Sequence, residues 1–209
     1  MKPLTREHAT GPTQGERRRN LEDALRDVFP EEDHVALIET LLLASERDKI
    51  RNSELQIPEP VKEDLLILLE RERALIPFET SKTIAWEDRV LTFKPGETYE
   101  APHVVKNMLR RAEETGRLAP RCAFKEYLRE IGEPDLETMA VFFDHVLDNV
   151  ENGRISAEAL SDIADELSLE HRMGTIIAEL KGGGVISPCL RDPSTLSYEV
   201  NPFLLKCRL

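Results

Sequence analysis

Apolar residues recur along this chain at two different periods, and the changes between them divide it into segments. Leu21, Ala24, Leu25 and Val28 recur at helical spacing, and Pro30 closes that helix. Asp33 is placed to cap a second helix running to about Lys49, apolar on more than one face through Val35, Leu37, Ile38, Leu41 and Leu42. A short helical turn over 52–57 is cut by Pro58. Pro60 opens a helix whose inward set is Val61, Leu65, Leu68 and Leu69. Its acids Glu63 and Asp64 stand in the first turn and Arg71 and Arg73 in the last, as the helix dipole favours.

The period then falls to that of a strand. Segments 74–78, 83–86 and 89–93 read as short strands, closed by Pro95-Gly96. Helices return between Pro102 and Gly116 (Val105, Met108, Leu109, Ala112) and between Pro120 and Gly132 (Phe124, Tyr127, Leu128, Ile131). Met139, Phe142, Phe143, Val146, Leu147 and Val150 form one more stripe, broken at Asn152-Gly153. Ser156 is expected to cap a helix to Leu167, and Ser168 to cap another that Gly182-Gly183-Gly184 stops. Val185-Ile186 opens a strand, 191–194 is a turn, and Leu196, Tyr198 and Val200 alternate in the return. Leu167, Ile177 and Leu180 are expected in the core of this last part.

Helices followed by a strand hairpin, seen in 137–203 and more loosely in 33–93, resemble the winged-helix (winged helix-turn-helix) superfamily. In the second stretch Ser156–Leu167 matches its second helix, Ser168–Lys181 its third and Val185–Val200 its wing. A shift of 111 positions lays Leu65, Leu66 and Leu69 on Ile176, Ile177 and Leu180, and Ala74, Leu75 and Pro77 on Val185, Ile186 and Pro188. The expected fold is therefore mainly α with small β-hairpins. A flexible tail covers 1–15. An N-terminal helix plus a first winged-helix-like module covers 16–100, a helical connector 101–134, and a second module 135–209.

Charge sharpens the picture. The net charge of −12 is unevenly spread: +3 over 1–20, −10 over 21–100, +3 over 101–132 and −8 over 133–209. Both modules are acidic. A winged helix of the DNA-binding kind presents its third helix to the major groove and needs cations for phosphates. Residues 156–181 instead hold six acids against two bases, and 60–73 hold four against three. The candidate contacts for nucleic acid or an acidic partner are Arg17, Arg18, Arg19, Lys106, Arg110, Arg111, Arg172, Lys181 and Arg191.

Catalytic and metal chemistry finds little support. The five histidines are scattered without ligand spacing, and Cys122, Cys189 and Cys207 form no Cys-x-x-Cys pair. The triple glycine runs from helix into strand, the wrong polarity for a phosphate loop. No apolar run approaches a membrane span. The expectation is a cytoplasmic, non-catalytic protein without cofactor or metal. It would act through protein–protein contacts, with a protein partner or as a homodimer. The alternative is a DNA-binding transcriptional regulator, disfavoured by charge.

Overall fold

The computed structural model describes residues 11–30, 33–78, 85–86, 91, 94, 96–190 and 196–208. Helix α1 (Gln14–Arg26) starts earlier than its apolar stripe suggests. Thr13 and Glu16 form a reciprocal capping box, the Thr13 hydroxyl accepting from the Glu16 amide and the Glu16 carboxylate accepting from the Thr13 amide at 2.7 Å. Residues 13–15, expected within the flexible tail, belong to the capped start of α1. Helix α2 (His34–Glu46) is capped by Asp33 as its sequence implies. The run 52–57 forms a 3₁₀ turn (Asn52–Glu54), followed by α3 (Glu59–Arg71).

The strands differ from expectation. Ile50–Arg51 is a strand (β1), which its neighbours in sequence conceal, and β2 is Ile76–Pro77. The return strand is β3 (Thr98–Glu100), beyond Pro95-Gly96, and it pairs with both to give the order β1-β3-β2. The expected strands at 83–86 and 89–93 lie largely outside the described residues, as does the turn at 191–194.

Helices α4 (His103–Thr115) and α5 (Pro120–Glu130) begin and end where proline and glycine punctuate the sequence. Gly116 closes α4 in the left-handed conformation, φ 71°. Ile131, expected on the apolar face, is instead exposed beyond the end of α5. Next come α6 (Leu136–Asp148), β4 (Arg154–Ser156), α7 (Ala157–Glu166), α8 (Met173–Gly182), β5 (Ile186–Cys189), β6 (Ser197–Val200) and a short α9 (Pro202–Lys206). Their strands pair antiparallel in the order β4-β6-β5.

Ser156 caps α7, its hydroxyl accepting from the Ala159 amide at 3.0 Å. Ser168 does not cap α8. It takes φ 58° and terminates α7, and a 3₁₀ turn (Glu170–Arg172) leads into α8. A left-handed residue there reverses the chain while the Leu169 amide still reaches the Ala164 carbonyl at 2.7 Å. This turn rotates the helix, so Leu169, Ile176 and Leu180 face inward while Leu167 and Ile177 are only half-buried.

The core runs without interruption from Leu21 through both sheets to Leu204. Its centre is the connector. Val104, Val105, Met108, Leu109 and Ala112 of α4 are wholly buried, with α1, α2 and α5 packed around them. Phe124 of α5 stacks on Phe143 of α6 at 4.5 Å, joining the connector to the second unit. The chain is mainly helical with two small three-stranded sheets, and no helix among the described residues is long and apolar enough to cross a membrane.

Candidate functional site

The two sheet-bearing units share local geometry, not only element order. At the end of α3 the Ala74 amide donates to the Leu69 carbonyl at 2.9 Å. At the end of α8, 111 residues on, the Val185 amide donates to the Leu180 carbonyl at 2.9 Å. Arg73 and Gly184, in register by the same shift, both take positive φ, 55° and 73°. Each return strand centres a tyrosine: Tyr99 lies between Ile50 and Pro77, Tyr198 between Ile155 and Pro188.

The units also dock on each other reciprocally. The Val104 amide, just after β3, donates to the Gly183 carbonyl at 3.1 Å. The Phe203 amide, just after β6, donates to the Glu72 carbonyl at 3.0 Å. Pro102 packs on Gly184, and the Asn201 side chain donates to the Arg73 carbonyl at 3.2 Å. This is the contact pattern of an isologous dimer, built within one chain. The triple glycine makes it possible. A Cβ at Gly182 would lie 2.7 Å from the Tyr127 hydroxyl and one at Gly183 2.9 Å from the Tyr127 ring. Its reading as a helix stop is therefore incomplete, because close packing against α4 and α5 also requires bare α-carbons there.

Most of the candidate cationic contacts have partners within the chain. Arg17 pairs with the wholly buried Glu113, which also accepts from the Ser45 hydroxyl, locking α1 onto α2 and α4. Arg18 meets Glu39 at 3.4 Å, Arg111 meets Glu126 at 3.2 Å, and Arg172 forks onto Glu133 at 3.0 and 2.5 Å. Lys106 meets Asp48 at 2.6 Å, and Arg110 Nε donates to the Ser45 carbonyl at 2.9 Å. Arg19 and Lys181 are exposed, and Arg191 lies outside the described residues.

The structure brings three of the nine together. Lys106 and Arg110 on α4 and Lys181 at the end of α8 line one groove between the two units, a cavity of about 840 Å³. His103, Asn107 and the acids Asp48, Glu100 and Glu130 line it too, as do Ile76, Trp86, Ile186 and Pro188. The Asp48 carboxyl is held below its ordinary range by its hydrogen bond to Lys106, with further attraction from Arg110 and His103. His103, Asn107 and Asp48 were not singled out by sequence. The signal was the spacing 103, 106, 107, 110, a polar stripe on the side of α4 opposite its apolar residues.

A second polar cluster joins α8 to the loop after α5. The hydrogen bond from Arg172 holds the Glu133 carboxyl below its usual range. Burial, with repulsion from Glu133, pushes the Glu179 carboxyl up. Burial also raises the thiol of Cys207 well above its ordinary range. Among the described residues no group of three or more His, Cys, Asp or Glu is placed to hold a metal ion.

No curated protein and no solved structure matches the chain. A family model matches residues 19–208, from within α1 to the last described residue, and the chain belongs to that family over both units and the helices between them.

Proposed function

We propose that this protein is a non-catalytic adaptor of two winged-helix modules, working through contacts with a basic protein partner. The order helix, strand, short helix, helix, hairpin in each unit, with the first strand paired to the last, supports the winged-helix reading. The observation that carries the function is the charge of the helix faces left to solvent. On α3 those residues include Glu59, Glu63 and Asp64. On α7 they include Glu158, Asp162, Asp165 and Glu166. Gly174, Thr175 and Ala178, the exposed positions on the first turns of α8, carry no charge.

Phosphates are repelled by such faces, and most of the arginines that could offset them are paired internally. Much of the apolar face of α2 is covered within the chain, by α1 and α4. The test is a pair of titrations followed by fluorescence anisotropy, one with duplex DNA and one with a lysine-rich peptide. The adaptor binds the peptide, and changing Glu59, Glu63 and Asp64 to Lys weakens that binding. Tight duplex binding that falls steeply with salt would reinstate the DNA-binding regulator.

A further inference from the structure

The groove between the units has the build of a ligand site, and its chemistry is distinct from that of the acidic outer faces. We propose that it binds a small anionic molecule with an apolar body, its charge received by Lys106, Arg110 and His103 and its body laid against Trp86, Ile76, Ile186 and Pro188. Size is the first ground. About 840 Å³ falls within the roughly 300–1,000 Å³ of small-molecule pockets. The second ground is the donor wall. His103, Lys106 and Arg110 stand at i, i+3 and i+7, so one face of α4 supplies them all, while Asn107 between them donates to Glu130 at 3.4 Å. The backbone beneath them is fixed in the core by Val104, Val105, Met108 and Leu109. A rigid helix is the better platform for a recognition site.

The third ground is Asp48. Lys106 is buried, its side chain only 11% exposed, yet the carboxylate it meets belongs to a residue whose side chain is 96% exposed. A buried ammonium requires an anion, and here the anion is supplied from solvent-facing chain. Asp48 marks where a negative group rests and stands in for the ligand's. Arg110 is oriented by its Nε bond to Ser45, and its terminal nitrogens have no hydrogen-bond partner among the described residues. Lys181 lies on the opposite rim, exposed.

Reciprocal docking does not itself require these cations. Where the second unit repeats the docking, Leu205 stands in the position of Lys106, and Glu70 stands in that of Lys181. The cations therefore belong to the groove and not to the joint.

The experiment is calorimetric titration of the full chain with naphthalene-2-sulfonate, inorganic phosphate and 1-naphthylmethylammonium. The sulfonate binds, and the other two bind at least roughly tenfold more weakly. Asp48→Asn removes the competing carboxylate and tightens sulfonate binding several-fold. Lys106→Met weakens it roughly tenfold, about the effect of one charge contact in a partly buried site. Lys181→Gln, at an exposed position, weakens it less and provides a variant whose folding is not in question. No sulfonate binding, or equal affinity in the native chain and the Asp48→Asn and Lys181→Gln variants, overturns the proposal. Phosphate binding as tightly as the sulfonate removes the apolar body from it. Preference for the ammonium reverses the sign of the site and overturns it.

Discussion

Pro102 packs so closely on Gly184 that no side chain fits between them. A Cβ on Gly184 would collide with the Pro102 Cβ and lie 3.3 Å from its Cγ, and the residue already takes φ 73°. Gly184→Ala should therefore cost about 1–2 kcal/mol for the left-handed backbone and about 1–3 more for the forced contact. Gly153 supplies the control, since it takes φ 77° with nothing within 4 Å of its would-be Cβ. Gly153→Ala should show the backbone cost alone. Urea melts of the two variants measure the difference. Equal losses would mean that the joint between the units is not as close as described.

The capping box sets where the chain can be shortened. A protein beginning at Pro12 keeps Thr13 and its bonds to Glu16, and should melt like the full chain. One beginning at Glu16 loses the cap and should be less stable by about 0.5–2 kcal/mol while still folding. Thermal melts of both truncations decide this. If the chain from Glu16 matched the one from Pro12, α1 would owe nothing to Thr13.

The helices were legible in the sequence because each carries its own period and punctuation. Pro102 with Gly116, Pro120 with Gly132, and Ser156 before Ala159 mark their ends by local chemistry. What stayed hidden depends on partners far along the chain. Ile50–Arg51 is too short to show alternation, and it is a strand only because Tyr99 lies alongside it. Ser168 has the residue type of a cap, but it ends α7 with a positive φ instead, and the chain passes through the 3₁₀ turn Glu170–Arg172 before α8 begins. Among the candidate contacts, charge identified the arginines and lysines but not their fates. Glu113 and Glu133, which neutralise Arg17 and Arg172, are 96 and 39 residues away in sequence. The groove was half visible, as a polar stripe on α4, while Asp48 and Lys181 reach it only through the fold.

Glu113 is the most deeply buried acid in the described chain, wholly inaccessible and held by Arg17 and Ser45. Arg17→Met leaves that carboxylate without its cation, and about 3 kcal/mol of stability should be lost. Arg17→Met combined with Glu113→Leu should recover much of it, since two apolar groups replace a buried ion pair. Denaturant melts of the two single variants and the double variant form the cycle. Additive losses would show that the two side chains are not coupled.

Arg172, Glu133 and Glu179 should impose opposite pH signatures. Glu133 is held low by Arg172, so its contribution is present above the ordinary carboxylate range and is lost as pH falls through its depressed folded value. Arg172→Met should thus destabilise at neutral pH, and the deficit should shrink as pH falls through that depressed value and Glu133 becomes protonated in both states. Glu179 behaves the other way. Burial and the Glu133 charge raise it, so the folded state binds its proton more tightly than the unfolded one. Stability is then lost as pH rises from the ordinary carboxylate range through the raised folded value. Glu179→Gln removes a charge from that cluster and leaves the bond from the Tyr127 hydroxyl to the Glu179 backbone carbonyl in place. It should raise the melting temperature at about pH 7 and lose that advantage at about pH 4 or below, where the native carboxyl is already neutral. Melts of the two variants and the parent across that range test both signs together. A Glu179→Gln advantage that persisted unchanged into acid would mean that the gain comes from packing and not from the charge.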